Sequence, residues 1–260
     1  MIKIIARTVL GLGFNPIQFF NSIKGIPAFI NDYIKITNAK SDYPKFGKIS
    51  LSPFLGDRYE QGGDMKSIYF QQDLFVAQQV YKNNPVRHLD IGSRTDGFVA
   101  HIATFREIDV VDIRAINSVV PNIQFQQSDM MKKPDQSLYQ KYDSISSLHA
   151  IEHFGLGRYG DPIDLDGHIK AITNVHELLI NNGLFYFSTP IGTQRIEFNA
   201  HRVFDVKYLL DVFKDKFNVE SFTYIDDNKN IFRHQPLSQD QIKSNFGCRY
   251  GCGIFILRKI

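Results

Sequence analysis

Three carboxylates recur at comparable places between residues 88 and 130: Asp90 in Leu89-Asp90-Ile91-Gly92, Asp112 in Val111-Asp112-Ile113, and Asp129 in Ser128-Asp129-Met130. An acidic residue followed by glycine lets a backbone turn approach a ligand closely, and the turn Gly92-Ser93-Arg94-Thr95-Asp96-Gly97 has that form. Asp112 stands 20 residues after Gly92, the βαβ spacing at which a carboxylate meets the two hydroxyls of a ribose, with Ile113 beside it. Asp129 can accept an adenine amino proton while Met130 packs on the ring. Carboxylates at strand ends are common, so each signal alone is weak; three in order are more specific.

A second group is His149, Glu152 and His153, spaced i, i+3, i+4, which share one face if the segment is helical. Histidine is the side chain best poised to remove a hydroxyl proton near neutral pH, so His153 is the expected general base, oriented by Glu152. Arg195, Asn199, His201 and Arg202, with Phe198 and Phe204 nearby, suit a polyhydroxyl acceptor through hydrogen bonds and ring stacking. A divalent ion on the Glu152–His153 pair is an alternative and is not favoured, because one sequence gives no ligand count. The acidic run 161–166 fails the calcium-loop pattern, with Pro162 at the first ligand position. It reads instead as a loop over the site, made mobile by Gly155, Gly157 and Gly160. Cys248 and Cys252 are too few for a zinc site and read as space-filling.

Elements must position these groups. A helix is expected over residues 67–81, with Phe70, Leu74, Ala77 and Tyr81 on its apolar stripe. Strands are expected over 86–91, 108–113, 123–125, 142–148, 184–188, 219–224 and 253–258, and helices over 98–105, 169–180 and 203–213, with Asn181-Asn182-Gly183 as a helix stop. Strands separated by helices of this length predict a parallel sheet covered on both faces, with ligands at the carboxyl ends of the strands. GxGxxG is absent, since Arg94 and Asp96 occupy the turn, and no GxxxxGK[ST] run exists. A nicotinamide or nucleotide-sugar enzyme is therefore the least favoured reading.

Length and composition agree with this scheme. The chain has 260 residues, 43% hydrophobic and 22% charged, enough apolar material for a sizeable core. A net charge of +3 is too weak to argue a nucleic-acid partner, and two cysteines indicate a reducing, cytoplasmic setting. Charge is uneven: residues 1–50 hold seven Lys or Arg against two Asp, a net +5, and the rest carries −2. The apolar runs at 4–14 and 17–30 are interrupted by Arg7, Lys24 and Pro27, short of a membrane span, and no cleavage site follows them. Residues 1–36 thus read either as an arm packed on the chain itself or as an amphipathic segment resting peripherally on the inner face of an anionic membrane. Residues 1–66 are expected to form an N-terminal extension and linker, and 67–260 the main domain.

The ordered motifs resemble the class I S-adenosylmethionine-dependent methyltransferases. Leu89-Asp90-Ile91-Gly92, Val111-Asp112 and Gln127-Ser128-Asp129 look like their first three motifs. Residues 146–154 look like their fourth strand end, and 178–184 like the turn entering their fifth strand. Residues 88–99, 149–168, 190–204 and 250–255 resemble more closely a little-characterised methyltransferase-like family found among bacterial surface-polysaccharide genes. The resemblance implies a Rossmann-like α/β methyltransferase fold, with a mostly parallel seven-stranded sheet, helices on both faces and an N-terminal helical extension. It implies S-adenosylmethionine as cofactor, held by Asp90, Gly92, Ser93, Gly97, Asp112, Ile113, Asp129 and Met130, and O-methylation of a sugar or surface-glycan precursor. The sequence departs from the family in the glycine turn, where Arg94 and Asp96 can pair and reshape the loop or obstruct the methionine moiety. The rival expectation is a non-catalytic scaffold of this fold in a glycan-assembly complex.

Overall fold

Strand residues alternate between two apolar clusters, and that alternation builds the fold. In the computed structural model, which describes residues 8–39 and 48–260, the chain divides into two units, 1–64 and 65–260. Residues 1–7 and 40–47 carry part of the apolar N-terminal run and part of the expected linker, and these lie outside the described residues.

Unit one is built on helix α1 (Pro16–Ala39), whose start is fixed by Asn15 Oδ1 accepting from the amides of Ile17 and Gln18. Unit two begins with α2 (Ile68–Asn83), capped by Ser67 Oγ accepting from Phe70 N and closed by left-handed Asn84. Eight strands follow in one sheet: β1 (His88–Ile91), β2 (Ile108–Asp112), β3 (Ile123–Gln127), β4 (Tyr142–Leu148), β5 (Leu179–Ile191), β8 (Phe217–Ile225), β9 (Ile231–Phe232) and β10 (Gly251–Lys259). Their order is β3-β2-β1-β4-β5-β10-β8-β9. The pairings among β1 to β5 are parallel, whereas β10 runs antiparallel to both β5 and β8. The two-residue β9 is the strand beyond the seven expected. A separate ribbon pairs β6 (Arg195–Glu197) with β7 (His201–Val203).

Phe185 and Phe187 of β5 and Phe255 and Leu257 of β10 enter one core, with α4 (Gly167–Leu178) and α5 (Val206–Phe213) packed on it. The intervening Tyr186, Ile254 and Ile256 face the other core, beneath α2 and the short α3 (Ala100–Ala103). Helices thus cover both faces, as period-two alternation in a buried parallel sheet requires.

Three local expectations change. The buried side of α2 is Phe75, Val76, Ala77 and Val80, while Phe70, Leu74 and Tyr81 are exposed. The reason is polar: Gln72 and Asp73 are also buried there, and Gln72 Oε1 accepts from Ser188 Oγ at 2.6 Å. The Asn181-Asn182-Gly183 turn does not stop the helix. The helix ends at Leu178, and the turn is a bulge inside β5, where the pairing with β4 jumps from Tyr142–Leu179 to Ser144–Leu184. Helix α5 starts at Val206 rather than at 203, because Asp205 Oδ1 caps the amides of Lys207 and Tyr208.

Candidate active site

The carboxyl ends of β1, β2, β3 and β4 open onto one pocket. At the first strand end, Gly92 has φ +70°, and a Cβ there would stand 3.0 Å from the Ala150 Cβ, so a glycine is needed both for the turn and for the space. Asp90 faces away from solvent and is fully satisfied. Its Oδ1 accepts from Ser93 Oγ and Ser146 Oγ, each at 2.6 Å, and its Oδ2 from Ser93 N at 3.0 Å. Burial pushes its carboxyl up to about 6 against these hydrogen bonds. Ser93 Oγ in turn accepts from Leu148 N at 3.0 Å. Asp90 and Ser93 therefore clamp β1 to β4 behind the pocket rather than lining it. Gly97 also lies off the pocket, in a π-helical turn over 95–99 packed against Asp73. Arg94 and Asp96 do pair, at 2.8 Å, and neither lines the pocket.

Asp112, Ile113, Asp129 and Met130 line the pocket with Gly92. Asp112 carries an unexpected partner. Arg114 donates to it through Nε (3.0 Å), Nη2 (2.7 Å) and its own amide (2.8 Å), and the guanidinium lies 4.4 Å from the centroid of the Tyr159 ring. Asp129 Oδ1 caps Met131 N at 2.9 Å, and Met130 is held by Asn174 Nδ2 donating to its carbonyl at 2.8 Å.

His149 and His153 line the same pocket, with Glu152 buried behind them. They do not share an α-helical face. His149 has φ +51°, and residues 151–153 form a single 3-10 turn. The turn nevertheless brings the three together: His149 Nδ1 lies 3.1 Å from Glu152 Oε1, and His153 Nε2 lies 3.8 Å from it. Glu152 is thus the partner of His149 rather than the orienting group of His153. His153 is oriented by the Ala200 carbonyl, which accepts from Nδ1 at 2.6 Å. Burial opposes charge on His149, but Cys252 and Glu152 offset it and hold its pKa well above the usual value. Burial likewise opposes charge on Glu152, yet the bond to His149 keeps its carboxyl below the usual value. For His153 burial wins and the pKa is lowered. A neutral His153 donating from Nδ1 presents an unprotonated Nε2.

The four residues expected to bind an acceptor separate. His201 stays with the cluster, its ring 6.1 Å from that of His153. Asn199 is exposed between β6 and β7. Arg195 and Arg202 line a separate open hollow with His168 and Tyr208. Arg202 is buried and committed to the carbonyls of Glu152, Phe154, Asp164 and Leu165. The 155–166 loop is tied down rather than mobile. Asp161 accepts from the amides of Gly155, Gly157 and Tyr159, and the three glycines have φ between +73° and +81°, so they serve conformation. Arg114, Tyr159 and Asp161 also line the pocket; the sequence places the loop carrying the last two over the site but gives none of the three a role of its own. The Asp112-x-Arg114 spacing was the available signal for the first. Among the described residues, no group of three or more His, Cys, Asp or Glu converges as a metal site.

Several solved structures share the fold. The [4+2]-cyclase SpnF is similar at 14% identity, covering 76% of this chain and 85% of its own, with a TM-score of 0.52. The Burkholderia thailandensis 1,6-didemethyltoxoflavin-N1-methyltransferase, solved with 1,6-didemethyltoxoflavin and S-adenosylhomocysteine, is similar at 12% identity, covering 82% and 92%, with a TM-score of 0.50. At such identities the likeness establishes the Rossmann-like methyltransferase fold, and one neighbour being a cyclase shows that the fold alone does not fix the reaction. No curated protein matches the chain. A family model covers residues 103–259, more than half of the chain and most of the pocket wall, and by that match the chain belongs to the family described as "Caenorhabditis protein of unknown function, DUF268".

Proposed function

We propose that the chain is an S-adenosylmethionine-dependent methyltransferase acting on a hydroxyl of a sugar or surface-glycan precursor. One observation carries the reading: a single pocket at the strand ends joins Gly92, Asp112, Asp129 and Met130 to His149 and His153. The cradle at Gly92, which a side chain would fill, fits a ligand lying close to the backbone. Asp112 would hold the ribose, and Asp129 with Met130 the adenine. The bound cofactor supplies an electrophilic methyl on a sulfonium. The protein's own contribution is positioning and a proton sink. His153, fixed through Nδ1 to the Ala200 carbonyl, takes the acceptor hydroxyl proton on Nε2. His149 lines the pocket, and its Nε2 is buried with no hydrogen-bond partner among the described residues, which suits an acceptor oxygen.

Calorimetric titration with S-adenosylhomocysteine tests this. Micromolar binding, abolished in Asp112→Ala, is expected, and unchanged affinity in that variant would reject the site. The second reading, a non-catalytic scaffold, is favoured by the Asp112–Arg114 pairing, which occupies the ribose-binding carboxylate. Absence of binding to folded wild type, restored in Arg114→Gln, would identify that pairing as the obstruction.

A further inference from the structure

We propose that α1 lies on an anionic lipid surface, parallel to it, through a face that its own unit leaves open. Phe19, Phe20, Ile23, Ile26, Ile30 and Ile34 recur at helical spacing along one side of the helix and are 41–68% exposed. The opposite side is occupied. Gly25 is the one buried residue of α1, and a Cβ there would collide with the Leu55 carbonyl. Tyr59 Oη donates to the Lys24 carbonyl at 3.2 Å, its ring lies under the Lys24 ammonium, and Arg58 pairs with Asp32 at 2.6 Å. Residues 55–59 therefore hold the polar side of α1, and the apolar side points away from them.

Charge chooses the occupant. Asp32 is the sole acidic residue of α1 and is neutralised by Arg58, while Lys24 and Lys35 share one flank. Residues 1–50 as a whole carry +5. A broad apolar face with bulky phenylalanines on a basic segment is the pattern of a helix seated at the headgroup level, where each Lys or Arg adds about 1 kcal/mol on an anionic surface. No described helix is long and apolar enough to cross a membrane. The face is also wider than the two-residue seam of a paired helix, and Pro27 interrupts it.

The test is sedimentation of the full chain with three-to-one phosphatidylcholine–phosphatidylserine vesicles, against phosphatidylcholine alone and at high salt. Binding to the anionic vesicles at low salt is expected, with a loss of at least about tenfold in Ile23→Asp/Ile30→Asp. Both positions are exposed, so the fold should persist. Should circular dichroism show otherwise, Ile34→Asp and hydrogen exchange across residues 16–39 of the wild type give the same answer. No sedimentation of folded protein, equal sedimentation of the variants, or indifference to phosphatidylserine and salt would overturn the proposal. So would a dimer by ultracentrifugation that the double variant makes monomeric without any vesicle binding, since a second copy would then be the occupant.

Discussion

At the residue scale, the two pocket histidines differ although four positions apart. Burial opposes charge on both, but at His149 it is outweighed by Cys252 and Glu152, which raise the pKa, whereas at His153 burial prevails and lowers it. Heteronuclear NMR titration, assigned with His153→Gln, should show His153 protonating only below pH 6.5 and His149 retaining its proton above it; coincident midpoints would refute the assignment. Removing Glu152 leaves a buried charge unpaired, so Glu152→Gln should lower the His149 midpoint and cost about 3 kcal/mol in urea unfolding. The types of these residues were legible in the sequence, and so was their nearness. Which atom met which was not, because a single 3-10 turn and a left-handed His149 replaced the helix that the spacing suggested.

At the element scale, the 152–166 segment is organised by two buried ions of opposite sign. Asp161 gathers amides and Arg202 gathers carbonyls. Such a loop is stiff, since backbone groups that would otherwise need water are satisfied internally. Arg202→Met should cost about 3 kcal/mol or more and raise amide exchange across residues 152–166, while a shift confined to ligand affinity would argue that Arg202 binds ligand directly. Gly155→Ala should be destabilising as well, because its Cβ would meet the Asp164 carbonyl. Glycine content suggested mobility here, and the opposite holds because the glycines supply positive φ to a hydrogen-bonded frame.

At the scale of the whole molecule, the sheet encloses a polar seam beneath the pocket. His88 Nδ1 lies 2.7 Å from Ser144 Oγ and Nε2 lies 3.1 Å from Ser146 Oγ, which donates onward to Asp90. Ser146 then accepts from Nε2–H; burial lowers the pKa to about 3, so the imidazole is neutral and Nδ1 accepts from Ser144 O–H. The unfolded chain binds a proton that the native state excludes. His88 therefore favours folding fully above about pH 6.5, and this is lost toward pH 3 by up to about 1.4 kcal/mol per pH unit. Asp90, raised to about 6, acts with the opposite sign, stabilising at low pH and losing that as pH rises through 6. Urea unfolding between pH 4 and 7 should show a flatter acid limb for His88→Gln than for wild type. Phe255→Ala, in the aromatic cluster with Phe187, Phe213 and Phe222, should cost about 3–5 kcal/mol.

The sequence by itself determined the sheet and the pocket's position. Alternation of strand and helix patterns is legible in residue order, and parallel strands joined through helices leave their carboxyl ends on one side. Gly92, Asp112, Ile113, Asp129 and Met130 reach the pocket for that reason. The tertiary structure alone decided how each charge is spent: Asp90 on serines across to β4, Arg202 on four carbonyls, and Asp112 on Arg114. Partner choice among buried polar groups depends on which atoms packing leaves within 3 Å of one another. Burial then fixes whether each is charged, and neither quantity is written in residue type or spacing.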